Sequence, residues 1–330
     1  MSLIDIIVGV KNEEMHIERC VNSLKRQTIK DIKIIVVDGL SEDKTRDIVK
    51  KIMKTDERIR LLSNEKEIIS SGRNIGLKAS DADFIAYIDG HTYVKENWLE
   101  TLYNTYLNYE NKCNLGCVGS TYAIPEDERI LGKVIDFCFK TLFGGFGTSY
   151  TKENHIRKVD TVAFALYKRS ILDNMDIKYD EKMTHCEDTD FNYKLLKKGF
   201  ILLKHPKAFV FQYKRHNLKD FFKQMFNYGA GRAKFIKKYP ESRRVFILIP
   251  SILVIYFLFF ILSLILHLIG IINDKFLLLI FIPAFLYLIV NVIYTFSSIL
   301  KFRNIKSAIA FLVFPVEHIA YGIGFLRNYL

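Results

Sequence analysis

The stretch IKIIVVDGLSEDKTRDIVKKIM, residues 32–53, decides the architecture of the N-terminal two thirds of the chain. Ile32–Val37 is β-branched or apolar except at Lys33, the composition of a buried strand. Asp38-Gly39 breaks the run, and Ser41 is positioned to cap a helix whose inward residues are Ile48, Ile52 and Met53. Working outward, Ile4–Val8 is a second strand of the same kind. Asn12 reads as the cap of the helix that follows, with Glu13 and Glu14 in its first turn and Lys25 and Arg26 at its end. Ile17, Cys20, Val21 and Leu24 supply its buried stripe. Ile59–Leu62 and Phe84–Ile88 are further strands. Strands alternating with helices predict an α/β domain with a mostly parallel, doubly wound sheet. Ligands of such sheets bind beyond the carboxyl ends of the strands. The polar residues there are Asn12 and Glu13, then Asp38, then Asp89 and His91. Neither GxGxxG nor GxxxxGK[ST] occurs, which argues against a nicotinamide dehydrogenase and a P-loop NTPase.

The 330 residues are 50% hydrophobic, unevenly spread. From Val245 the chain becomes Ile-, Leu-, Phe- and Val-rich. Val245–Ile269 and Phe276–Leu300 carry no charged side chain. At about 1.5 Å per residue each exceeds the roughly 30 Å hydrocarbon core of a bilayer. Ala308–Leu326 is a third candidate, burdened by Glu317 and His318, and either spans or lies re-entrant; spanning is expected from its length. Lys234, Lys237, Lys238, Arg243 and Arg244 precede the first span, and Lys301, Arg303 and Lys306 separate the second from the third. The positive-inside rule therefore predicts a multi-pass cell-membrane protein with residues 1–244 and 301–307 in the cytoplasm. Before the first span, Leu218, Phe221, Phe222, Met225 and Phe226 recur at helical spacing among Lys219, Lys223, Lys234, Lys237 and Lys238. This predicts a basic amphipathic helix in the membrane interface, or else a helix packed on protein. The expected divisions are 1–215, an interfacial region 216–244, and an anchor 245–330 with spans near 245–269, 276–300 and 308–326.

The formal net charge is +12. Without a zinc-finger or RNA-recognition signature, anionic lipid or a diphosphate accounts for it better than nucleic acid. Cys20, Cys113, Cys117, Cys138 and Cys186 form no framework and no zinc spacing, and fit free thiols in a reducing compartment. The N-terminus MSLIDIIVGVKNEE lacks the shape of a signal peptide.

Five segments in order, VGVKNEE, VVDGLSEDKT, SSGRNIGL, FIAYIDGH and CEDTDFNYKLLKKG, resemble family 2 glycosyltransferases of the GT-A fold. KVDTVAFALYKR and QYKRHNLKDFFKQMFNYGAGR are similar to the membrane-bound branch that builds exopolysaccharides such as succinoglycan. The resemblance covers about residues 3–240. It implies a nucleotide-sugar donor, a UDP-sugar first, and a lipid-linked or glycan acceptor. It assigns Asn12, Glu13, Asp38, Arg73, Asn74 and Asp89 to donor binding, and Asp89 and His91 to a divalent metal, Mn²⁺ or Mg²⁺. Asp188, paired with Glu187, would be the catalytic base, and Gln212 and Arg215 would meet the diphosphate and acceptor. Two positions depart from the pattern. His91 replaces the second aspartate of D-x-D, which favours Mn²⁺ over Mg²⁺. His216 replaces the tryptophan of Q-x-x-R-W, which weighs against processive polymerisation.

One base and one displacement imply an inverting reaction. A non-catalytic scaffold with a degenerate domain, a processive synthase and a transporter are the competing readings. Each singled-out residue also has a plainer role: Asp188 as a helix cap, Asp38 as a turn former, His91 as a surface turn residue. The loop GGFGTSY, Gly144–Tyr150, is a candidate lid.

Overall fold

The computed structural model describes residues 2–145 and 154–330, which form two compact units. The first comprises residues 2–125 and 154–213. The second comprises residues 126–145 and 214–330.

The first unit is built on one nine-stranded sheet. Its strands are β1 (Ile4–Val10), β2 (Ile32–Asp38), β3 (Ile59–Ser63), β4 (Phe84–Asp89), β5 (Thr92–Val94), β6 (Leu115–Ala123), β7 (Arg157–Val159), β8 (Leu166–Lys168) and β9 (Ile201–Gln212). The order is β3-β2-β1-β4-β8-β6-β9-β5, with β7 paired to β9. β3, β2, β1 and β4 run parallel to one another, as do β6 and β9; β8 is antiparallel to β4 and β6, and β5 and β7 are antiparallel to β9. All seven residues of β1 are buried, as expected of a strand covered on both faces. Ile6, Val8, Ile34 and Val36 enter one core with Ile17, Val21 and Leu24 of α1 (Ile17–Lys25) and Val49 of α2 (Thr45–Met53). Ile7, Ile35 and Val37 enter the core on the other face with Leu77 of α3 (Ile69–Ala79) and Phe191 of α8 (Glu187–Lys197). α4 (Trp98–Glu110) and α7 (Arg169–Asn174) complete the helices of this unit.

Two expected caps are placed otherwise. α1 begins at Ile17 with His16 at its N-cap, and Asn12 sits upstream in a left-handed turn at φ 55°. α2 begins at Thr45, and Ser41 turns back to Asp38 instead. In both, the polar residue serves the strand-to-helix connection, which is longer than the sequence pattern suggested.

The second unit holds α5 (Ile130–Phe139), α6 (Leu142–Gly145), α9 (Leu218–Lys238), α10 (Val245–Leu268), α11 (Asp274–Phe302) and α12 (Ala310–Tyr329). Residues 126–145, expected inside the first domain, pack here: Val134, Ile135, Cys138 and Phe139 share a core with Phe221 and Met225 of α9 and Val313, Phe314 and Ala320 of α12. Val245–Leu268, Asp274–Phe302 and Ile305–Tyr329 are long and apolar enough to cross a membrane. The last is half buried within the protein and begins as a short 3-10 turn, Ile305–Ile309, continuous with α12.

The polar atoms of these apolar helices find partners on one another. The Tyr256 hydroxyl accepts from Ala284 N–H at 2.9 Å and donates to the Ile280 carbonyl at 2.7 Å, entering the backbone ladder of α11 beside Pro283. A proline removes one ladder bond, and an inserted hydroxyl re-satisfies the groups it opens. His318 contacts the Tyr287 hydroxyl at 3.0 Å through Nδ1 and donates Nε2–H to the Phe143 carbonyl at 2.9 Å. Asn291 donates to the Phe311 carbonyl at 3.0 Å.

α9 lies backbone-close to α12. A Cβ on Gly324 would collide with the Phe226 carbonyl, and one on Gly229 with the Tyr321 carbonyl. Phe221 and Met225 of its apolar stripe are therefore buried on protein, while Lys219, Lys223, Lys234, Lys237 and Lys238 remain exposed. In the loop Gly144–Tyr150, Gly144 and Gly145 close α6, and 146–150 lie outside the described residues.

Candidate active site

Parallel register gathers the motif residues at one edge of the sheet. Val10 pairs with Asp38 and Gly9 with Asp89, so the two aspartates flank the end of β1. Gly90 lets the following turn press against that end; a Cβ there would stand 2.5 Å from Val10 Cγ1 and 3.4 Å from Glu13 Cγ.

Arg73, on α3, is the hub. Its side chain is 3% exposed. One guanidinium nitrogen donates to Asp89 Oδ1 at 3.0 Å; the other donates to Asp188 Oδ1 and lies 3.3 Å from Glu187 Oε1. Its guanidinium carbon stands 5.1 Å from the centre of the Tyr179 ring. Three carboxylates from two separate motifs thus meet on one cation. Burial works against the Arg73 charge, but Asp188, Tyr179, Asp89 and Glu187 overcome it and hold the guanidinium firmly protonated. Burial pushes the Glu187 carboxyl upward, the Asp188 charge adds to this, and Arg73 opposes it. Asp188 is also raised, by burial first, with Arg73 opposing. Glu187, Asp188 and Asp190 occupy the first turn of α8, where the helix dipole favours negative charge. The helix ends at Gly199, with Phe200 N–H on the Leu195 carbonyl.

His91 stands between two strand ends. Its Nδ1 is 3.1 Å from Glu13 Oε1 and its Nε2 is 3.1 Å from Gln212 Nε2. The register Thr92↔Gln212 brings β5 and β9 together there. Beside it, Tyr93 stacks on Phe211 and under the Arg19 guanidinium.

Asp38 is fully buried and heavily engaged. Ser41 Oγ donates to Oδ1 at 2.5 Å; Ser41 N–H and Arg46 donate to Oδ2 at 3.1 and 2.7 Å. Asn74 grips Tyr179, accepting its N–H at 2.9 Å and donating to its carbonyl at 2.9 Å, and so fixes the segment leading to α8. The Asn12 side chain accepts from Glu42 N–H at 2.9 Å. Arg215 is exposed and belongs to the second unit.

The sequence reading missed Tyr179 and Arg46. Tyr179 lies against the Arg73 guanidinium and stacks on Phe191 at 4.2 Å; Arg46 links Asp38 to Ser63 at the neighbouring strand end. Neither carries a periodic or motif signal. Only the pairing Asp38↔Ser63, invisible before the sheet is built, puts Arg46 in place.

Among the described residues, no three His, Cys, Asp or Glu side chains converge to hold a metal. A cation bound partly through substrate phosphates needs only one or two protein ligands. Asp89, which meets Arg73, and His91, which meets Glu13 and Gln212, are the two side chains that would fill that role. A ligating histidine characteristically gives its other N–H to a carboxylate, and Glu13 is there to take it.

The geometry has counterparts in known proteins. Residues 5–176 match the profile of Glycosyl transferase family 2. The chain is 30% identical over 246 residues to the dolichyl N-acetyl-α-D-glucosaminyl phosphate 3-β-D-2,3-diacetamido-2,3-dideoxy-β-D-glucuronosyltransferase of Methanococcus voltae, covering 72% of this chain and 75% of that protein. It is 26% identical to the succinoglycan biosynthesis protein ExoA of Rhizobium meliloti, covering 70% of each. Among solved structures, the mannosyltransferase PcManGT of Pyrobaculum calidifontis, in complex with GDP-Man and Mn²⁺, superposes with a TM-score of 0.55 at 13% identity, over 74% of this chain and 65% of that one. The likeness to PcManGT shows the GT-A-like fold of the first unit. The profile spans more than half of the chain and the archaeal relative matches most of it, so the chain belongs to glycosyl transferase family 2 and is a glycosyltransferase.

Proposed function

We propose that the chain transfers a sugar, with inversion, from a nucleotide-sugar donor to a lipid-linked or polysaccharide acceptor at the cytosolic face of a membrane. The observation that carries this is the gathering of Asp89, Glu187 and Asp188 on Arg73 at the carboxyl edge of the sheet.

The acceptor is an alcohol, a weak nucleophile at neutral pH. Its oxygen forms the new bond to the anomeric carbon as the bond to the diphosphate breaks, and the bonding pair leaves on the phosphate oxygen. Asp188 takes the hydroxyl proton, a contribution typically worth about 10²–10⁴ in rate. Burial raises the proton affinity of Asp188, and Arg73 opposes that rise and holds the carboxylate in place. A single displacement with one base inverts the anomeric centre. Bound on Asp89 and His91, a divalent cation would act as a Lewis acid that neutralises the departing diphosphate. Asp38 and Asn12, at the ends of β2 and β1, are proposed to shape the nucleotide pocket, and Gln212 and Arg215 to serve the diphosphate and acceptor. A UDP-sugar is the donor proposed first.

Three long apolar helices support membrane residence. The exposed Lys234, Lys237, Lys238, Arg243 and Arg244 immediately before the first of them support a cytosolic catalytic unit, with the basic side of α9 near anionic headgroups. The M. voltae relative, named for a dolichyl phosphate-linked acceptor, supports a lipid-linked acceptor.

The test is turnover of a panel of UDP-, GDP- and dTDP-sugars with Mn²⁺ or Mg²⁺ by wild type and Asp89→Ala. Metal-dependent turnover of one donor, lost in the variant, is expected. A product that keeps the donor's anomeric configuration would overturn the single-displacement mechanism, and failure to bind any donor would leave a non-catalytic scaffold.

A further inference from the structure

We infer that Glu13 is a positioning residue for His91: its carboxylate fixes the imidazole tautomer that leaves Nε2 a lone pair for a divalent cation, and Gln212 occupies that lone pair until the cation arrives. This rests on the transferase reading above and changes the role expected of Glu13, which the family pattern assigns to the donor.

A carboxylate only accepts, so the 3.1 Å contact with Glu13 Oε1 places the ring proton on Nδ1. The Gln212 amide nitrogen, which only donates, lies 3.1 Å from Nε2 and so makes Nε2 the acceptor of that contact. This is the protonation state in which an imidazole binds a metal, and the carboxylate–histidine pairing is the arrangement that orients such ligands.

Glu13 is rigidly mounted for the task. Its N–H donates to Thr45 Oγ1 at 2.7 Å, and its carbonyl accepts from His16 and Ile17 N–H, each at 2.9 Å. The residue is thereby tied to the starts of both α1 and α2. Gly90, by lacking a side chain, allows His91 to stand over it. Gln212 is held by the β5–β9 pairing one residue from His91. Glu13 and His91 are 22% and 30% exposed, so solvent competes only partly for their hydrogen bond. The histidine at the third position of the metal motif is thus accompanied by a carboxylate that makes it a competent ligand.

The experiment is a Mn²⁺ titration of the full chain in detergent with UDP held at one fixed concentration, corrected for Mn²⁺ bound by UDP alone, with free Mn²⁺ read by electron paramagnetic resonance. Wild type, Glu13→Ala, Glu13→Gln and Gln212→Ala are compared, with thermal melting as the control for folding and calorimetric UDP titration in EDTA as the control for donor binding. Removing a carboxylate that orients a ligating histidine typically weakens the metal by about 10–100-fold, and Glu13→Ala is expected to fall in that range. Glu13→Gln, which retains a neutral acceptor, recovers part of the affinity. Gln212→Ala binds Mn²⁺ as tightly as wild type or tighter, and UDP binding in EDTA survives in Glu13→Ala. Unchanged Mn²⁺ affinity in a folded Glu13→Ala overturns the inference, as does a parallel loss of UDP binding, which would return Glu13 to the donor pocket. Weaker Mn²⁺ binding by Gln212→Ala would make Gln212 a ligand and overturn its place-holding role. Wild type that binds no Mn²⁺ overturns the inference together with the metal part of the proposed function; turnover of sugar donors in EDTA then judges the transferase reading separately.

Discussion

Arg73 and Asp188, 115 residues apart in sequence, share an ion pair that links the third helix to the start of α8. About a third of the Asp188 side chain stays exposed, so the pair is reachable from solvent. Its effect on Asp188 opposes that of burial: burial raises the carboxyl's pKa and Arg73 lowers it.

The sign of a pH effect follows. Asp188 acts as a base only when ionised, so kcat/KM should fall as pH drops through its raised pKa. Removing Arg73 removes the influence that lowers that pKa. Arg73→Ala should therefore move the acid limb of the pH–rate profile to higher pH, besides lowering its plateau. Arg73→Lys keeps the charge but not the fork that reaches three carboxylates, and should fall between. An acid limb unmoved in Arg73→Ala would show that Arg73 does not tune the base.

Asp188→Asn should lower kcat by about 10²–10⁴ with donor binding retained. Glu187→Gln should cost less, because Glu187 shares Arg73 only at the longer 3.3 Å. Single-turnover rates and donor titration together make the check. An Asp188→Asn variant with normal kcat would move the base elsewhere.

Gly324→Ala should destabilise the second unit by about 1–3 kcal/mol, the usual range for overpacking. The added carbon meets the Phe226 backbone carbonyl, which cannot swing aside as a side-chain tip could. Thermal melting in detergent reads this directly; an unchanged melting temperature would mean that α9 and α12 separate at little cost.

A chain ending at Arg244 should be recovered largely aggregated rather than as a soluble transferase. Phe221, Met225, Val134, Ile135 and Cys138 would lose the cover of Val313, Phe314 and Ala320. Fractionation after expression distinguishes the outcomes, and a monodisperse soluble product would show that α5 and α9 cover each other unaided.

The strands were legible because buried parallel strands are written as uninterrupted β-branched runs, and Ile32–Val37 needs no partner to be recognised. The active edge was legible for the same reason: once the strands are parallel, the residues after each must fall together, as Asp38 and Asp89 do on either side of β1. What escaped depends on partners distant in sequence. The stripe Val134, Ile135, Cys138 has helical spacing, but spacing does not say which surface will cover it. Asn12 and Ser41 have the chemistry of caps, yet the chain uses both to brace the connections after β1 and β2. His318 looked like a cost in an apolar helix until Tyr287 and the Phe143 carbonyl came to meet it.

The detour of residues 126–145 into the second unit has a consequence in time. α5 leaves the ribosome well before α12, its packing partner, has been made. Between Gly145 and Ala310 lie 164 residues, and at about 5–20 residues per second their synthesis takes roughly 10–30 s. Throughout that interval the apolar face of α5 lacks the cover of Val313, Phe314 and Ala320, with Phe221 and Met225 of α9 made before its end. Completion of the core around α5 is therefore timed by the synthesis of α12.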